Sequence, residues 1–145
     1  MATEILVNDG GAPARIMNLG NANAAIEAGM FVDINSSGKI IAATDDQEAS
    51  SSGEKVALGV LLVDAVSGAP TSILTGKGIV CNVQVGADTT GMAIGAELTP
   101  DNAGKVEATA DAAAHRAVAI QLAAVDTAGS DSSGNATSFV KVLLL

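Results

Sequence analysis

Hydrophobic positions along the chain fall into short runs broken by Gly, Ser, Asn and Asp, the rhythm of brief strands joined by tight turns. ILTGKGIVCNVQV turns at Gly76-Lys77-Gly78 and then alternates. Ile79, Cys81, Val83 and Val85 fall on one face and Asn82 and Gln84 on the other, the period of a half-buried strand. VALGVLLVDAV, residues 56–66, is a continuous aliphatic run ending at the turn SGAP, and it predicts a buried central strand. FVKVLLL, residues 139–145, predicts a final strand.

The pattern also repeats. AGMFVDINSSGK, Ala28 to Lys39, aligns without gaps with IGAELTPDNAGK, Ile94 to Lys105, so that Gly29 matches Gly95, Gly38 matches Gly104 and Lys39 matches Lys105 at an offset of 66. Each copy reads as strand, polar turn ending in Gly-Lys, and second strand, because a Gly closing a turn of Asn, Ser and Asp supplies the positive φ that other residues resist. TSI at Thr71–Ile73 matches TSF at Thr137–Phe139 at the same offset. The expectation is one β-rich domain over 21–145, built from two repeated β units at about 21–80 and 87–145.

Three stretches depart from that rhythm. Residues 1–20 hold a short apolar patch, Ile5-Leu6-Val7, then the turn-prone NDGGAP and Arg15-Ile16-Met17, which reads as an extended N-terminal arm. Residues 45–55 and 126–138 are polar and Ser-rich, as surface loops are. TADAAAHRAVAIQLAA, 109–124, is Ala-rich and predicts a short helix near 110–116, followed by a strand from about Val118.

Composition narrows the architecture. Hydrophobic residues make up 48% of 145 positions, enough for a core, yet there is no Trp or Tyr and only Phe31 and Phe139 are aromatic. Val, Ile, Leu and Ala must build thin layers, which suits short strands and oligomer contacts. A net charge of −9, with seven basic residues scattered along the chain, excludes a phosphate-binding surface, so no nucleic-acid partner is expected. No apolar run approaches the ~18 residues of a membrane span, and the N-terminus lacks an export pattern, so neither a membrane partner nor secretion is expected.

Candidate chemistry is sparse. Cys81 lies in an apolar run and reads as a small buried hydrophobe. His115 stands alone, with Asp111 four residues earlier, and no nucleophile elbow accompanies them. Asp45, Asp46 and Glu48 form the densest acidic cluster but lack the spacing of a calcium loop. Gly76-Lys77-Gly78 lacks the preceding Gly of a phosphate-binding loop. The reading is a non-enzymatic protein without catalytic, cofactor-binding or metal-ligating residues. Ile5–Val7 suits β-augmentation, in which backbone hydrogen bonds add a strand to a neighbour's sheet.

From Gly29 to Val85 the order DINSSGKIIAATD, a loop ending in GEK, VALGVLLVDAV and TSILTGKGIV resembles the lambda-type head decoration proteins of tailed phages. The resemblance implies a β-tulip-like barrel and a homotrimer on the outside of the virion, made in the host cytoplasm, that binds the major capsid protein and cements the assembled shell. It also implies an arm over Ala2–Leu19 laid across neighbouring subunits, with Ile5, Leu6, Val7, Arg15 and Ile16 as the contacting set. Two other readings stay open. The Ser-rich loops fit a β-sandwich adhesin or receptor-binding surface protein. The Gly and Val rhythm of 76–108, with Lys105 in a turn, fits a biotinyl or lipoyl carrier domain, although Gly104 and Val106 match neither carrier motif.

Overall fold

A computed structural model describes residues 2–8, 15–44, 57–109, 117–131 and 133–145. These form eleven strands and no helix. In chain order they are β1 (Leu6–Asn8), β2 (Arg15–Met17), β3 (Phe31–Ile34), β4 (Ile40–Ala42), β5 (Gly59–Leu61), β6 (Ile73–Thr75), β7 (Val80–Gln84), β8 (Glu97–Pro100), β9 (Val106–Ala108), β10 (Ala119–Gln121) and β11 (Phe139–Leu144). They pair into two antiparallel sheets, a six-stranded one in the order β1-β7-β11-β10-β8-β9 and a five-stranded one in the order β2-β6-β5-β3-β4. The mainly-β class is as predicted. The barrel is not: neither sheet closes on itself, β1 and β9 being the end strands of one and β2 and β4 those of the other.

The two sheets are copies of one unit. Removing β1 from the larger leaves β7-β11-β10-β8-β9, the same path as β2-β6-β5-β3-β4. The β3–β4 and β8–β9 hairpins agree residue for residue at the offset of 66: Val32 faces Ala42 as Leu98 faces Ala108, and Ile34 faces Ile40 as Pro100 faces Val106. Phe31 pairs with Val60 as Glu97 pairs with Ile120, and Leu61 pairs with Ile73 as Gln121 pairs with Val142. Even an isolated parallel bridge recurs, Ala22 to Ile40 and Val85 to Val106. Each unit therefore starts at its first sheet strand, β2 or β7. The Thr71–Ile73 match to Thr137–Phe139 is not structural, because pairing makes Val142, not Phe139, the counterpart of Ile73. A shorter β9–β10 connection and a longer β10–β11 connection shift the register between those strands.

Packing follows the alternation of each strand. Phe31, Val60 and Leu74, on one face of the five-stranded sheet, join Cys81, Val83, Leu98, Val140 and Val142 of the other sheet in the main core. Val32, Ile40, Leu61 and Ile73, on the opposite face, close with Ala22, Ile26 and Ala65 into a second, smaller core. Each such aliphatic side chain taken out of water contributes roughly 1.5–3 kcal/mol. The stacking of two thin sheets explains how a chain with two Phe buries enough apolar surface.

Three local expectations change. The aliphatic run at 56–66 gives a strand only at Gly59–Leu61, central in its sheet as predicted. Beyond it Ala65 turns back to bridge Ile26, and an Asp64 carboxylate oxygen accepts the Ala28 N–H at 2.7 Å. Gln84, placed on the solvent face by the alternation, is fully buried because the backbone at Ala28-Gly29 covers it. The expected arm is, in its described parts, a pair of edge strands: β1 lies on β7 and β2 on β6. The helix near 110–116 falls outside the described residues, and the strand after Val118 begins at Ala119.

Candidate functional site

Among the described residues, the side chains with candidate chemistry do not converge. Cys81 sits in the middle of β7, fully buried, and burial pushes its thiol pKa up to about 12, so it is a packing residue rather than a nucleophile. Among the described residues no group of three or more His, Cys, Asp or Glu side chains could hold a metal ion. Asp45, Asp46, Glu48, Asp111 and His115 lie outside the described residues. Gly76-Lys77-Gly78 forms the β6–β7 turn, tied down by the Gly78 N–H donating to the Leu144 carbonyl at 2.9 Å. Lys105 follows the β8–β9 turn, its N–H donated to an Asp101 carboxylate oxygen, as Lys39 donates to Asn35 in the first unit.

What the fold presents instead is strand edge. The segment leading into β1 is clamped to the body: the Asn82 side-chain amide donates to the Glu4 carbonyl at 2.7 Å and the Asn82 N–H to the Ile5 carbonyl at 2.7 Å. The Thr3 N–H donates to the Ser130 carbonyl at 3.1 Å. Ile5 is buried and meets Phe139 and Gln84 over Gly29, where a Cβ would come within 3.2 Å of the Ile5 side chain and 3.0 Å of Phe139. Leu6 is half-buried and packs on the main core. Val7 is exposed at the end of the six-stranded sheet.

At the end of the other sheet, Arg15, Ile16 and Met17 are all exposed. Of the five residues read from the sequence as contacting, three (Val7, Arg15, Ile16) face outward on two separate edges, while Ile5 and Leu6 hold β1 in place. Met17 belongs with the exposed set and was not anticipated, although it directly continues the Arg15-Ile16 strand.

Two further features bear on how rigidly these edges are held. The Gln84 side-chain amide donates to the Glu27 carboxylate at 3.1 Å and to the Ala28 carbonyl at 2.9 Å, tying β7 to the segment before β3. Asp131 closes a third turn built like those of the two hairpins, accepting N–H bonds from Ser133 at 3.0 Å and Asn135 at 2.8 Å. These bonds, Asn135 foremost, hold its carboxyl below the ordinary carboxylate range. The recurring Asn/Asp-x-x-Gly spacing at 35, 101 and 131 was the signal for it.

No protein-family model and no curated protein matches the chain. Among solved structures the fold is similar to the N base of the head fiber gp8.5 of bacteriophage phi29, at a TM-score of 0.59 and 14% sequence identity. The likeness covers 92% of this chain and 95% of that one.

Proposed function

We propose that this chain is a structural protein of a phage head, a non-enzymatic component that seats as a homotrimer on the outer surface of the assembled shell, binds the major capsid protein and stabilises the lattice. The observation that carries the reading is the extent of the fold likeness: nearly the whole of this chain matches nearly the whole of a head-fiber base. The architecture suits the task. A doubled β unit with a largely aliphatic core presents its sheet edges to neighbouring chains. Val7, Arg15 and Ile16 remain available to neighbouring chains, while Ile5 and Leu6 keep the N-terminal segment seated. An acidic exterior keeps free copies dispersed before they find the shell.

Mixing the purified protein with undecorated heads and pelleting them tests the proposal. Saturable co-sedimentation at a fixed ratio per head, with heads that then withstand more heat before releasing DNA, is the expected outcome. A protein that stays in the supernatant at every concentration contradicts it.

A further inference from the structure

The two units do not end alike. In the second, the outer edge of β7 is covered, because β1 lies antiparallel on it with Leu6 opposite Cys81. Cys81 is the counterpart of Met17, since Cys81 pairs with Val142 as Met17 pairs with Ile73. In the first unit the matching edge, that of β2, ends its sheet, with Ile16 53% and Met17 43% exposed. β1 in turn ends the other sheet and leaves Val7 43% exposed. Edge strands are ordinarily protected from other chains by Lys, Pro or a bulge. β2 has no Pro and pairs with β6 in a regular register, with Arg15 as its one charged side chain, while β1 carries a register shift between Leu6 and Asn8.

We infer that the outer edge of β1 in one copy takes the β2 edge of a second copy, antiparallel, joining the six-stranded sheet of one protomer to the five-stranded sheet of the next. Within one chain β1 already pairs, through its inner side, with the edge equivalent to that of β2, so a strand of this kind is compatible with such an edge. It need not leave its own core to do so between chains, because Asn82 and Ser130 hold it on its inner side and only its outer side is used. Arg15, one of seven basic side chains in a chain of net charge −9, brings a cation to a junction between two acidic copies. The contact is head-to-tail, with a different surface used on each copy, so it closes as a ring or runs on as a fibre. The three-membered ring rests on the trimer proposed above.

Light scattering on size-exclusion peaks of wild type, Val7→Lys, Ile16→Lys and an equal mixture of the two variants tests this, with circular dichroism as a folding control. Both side chains are exposed, so the variants should fold. Wild type is expected to run as a trimer and each variant alone as a monomer. The mixture is expected to give a dimer, because each variant keeps the edge the other has lost. An assembled Val7→Lys beside a monomeric Ile16→Lys, a mixture without dimer, or variants that remain trimers would overturn the inference while leaving the shell-binding reading to the pelleting assay. A monomeric wild type would overturn this pairing and the trimer together.

Discussion

Asn35 and Asp101, 66 residues apart, hold the same turn with the same atom. Oδ1 of Asn35 accepts the N–H groups of Ser37 at 2.9 Å and Lys39 at 3.0 Å, and Oδ1 of Asp101 accepts those of Ala103 at 2.8 Å and Lys105 at 2.9 Å. One short polar side chain thus replaces two backbone partners that a four-residue turn cannot otherwise supply. Because the first unit does this with an amide and the second with a carboxylate, Asp101→Asn should change stability by less than about 0.5 kcal/mol, whereas Asp101→Ala, which hands both turn donors to water, should cost about 1 kcal/mol. Urea denaturation of the three proteins checks the contrast.

The same pair of turns gives a second comparison. Gly38 and Gly104 have φ of 74° and 75°, so alanine is strained at either. A Cβ at Gly38 would meet open space, but at Gly104 it would lie 2.6 Å from the Phe31 carbonyl oxygen. Gly38→Ala should therefore cost about 1–2 kcal/mol. Gly104→Ala should cost about 1–3 kcal/mol more, since it forces the second hairpin off the first unit's sheet. Equal midpoints for the two variants in the same denaturation series would contradict the head-on packing of that hairpin.

Asp131 makes stability depend on acidity. Its folded carboxyl is held below the unfolded value of about 3.9, so its contribution is fully present above about pH 4 and is lost as pH falls through the lowered value. Asp131→Asn keeps an oxygen for the Asn135 and Ser133 N–H groups, as Asn35 does in its own turn, yet cannot titrate. The melting temperature of wild type should fall more steeply below pH 4 than that of Asp131→Asn. Parallel curves would show that the carboxylate plays no such part.

Cys81 should be silent in the folded protein. With its thiol fully buried and its pKa raised to about 12, almost no thiolate exists at neutral pH. An aromatic disulfide reagent should release less than about a tenth of the stoichiometric thiol before unfolding and the full amount in denaturant. Rapid labelling of the native protein would place Cys81 on a surface.

The sequence made some of this legible and hid the rest for physical reasons. The hairpins at 31–42 and 97–108 could be read because Gly38 and Gly104 and the Asx residues before them are local devices, needing no distant partner. The duplication was visible through the same residues. The burial of Gln84 was not, because it depends on a segment 56 residues away covering the second face of β7. Nor could periodicity show that β1 and β2 fold onto the sheets: a three-residue strand carries no alternation of its own, and its place is set by the neighbour it pairs with. The edges therefore emerged from topology, while the residue types on them, Val7, Arg15 and Ile16, were already in view.

The central claim is a place on the outside of a phage head, and cryo-electron microscopy of undecorated heads with and without saturating protein tests it most directly. The difference map is expected to show trimeric density at symmetry-related positions on the outer surface, large enough for three 14.2 kDa chains. Indistinguishable maps, at concentrations where the protein is folded and assembled, would contradict it.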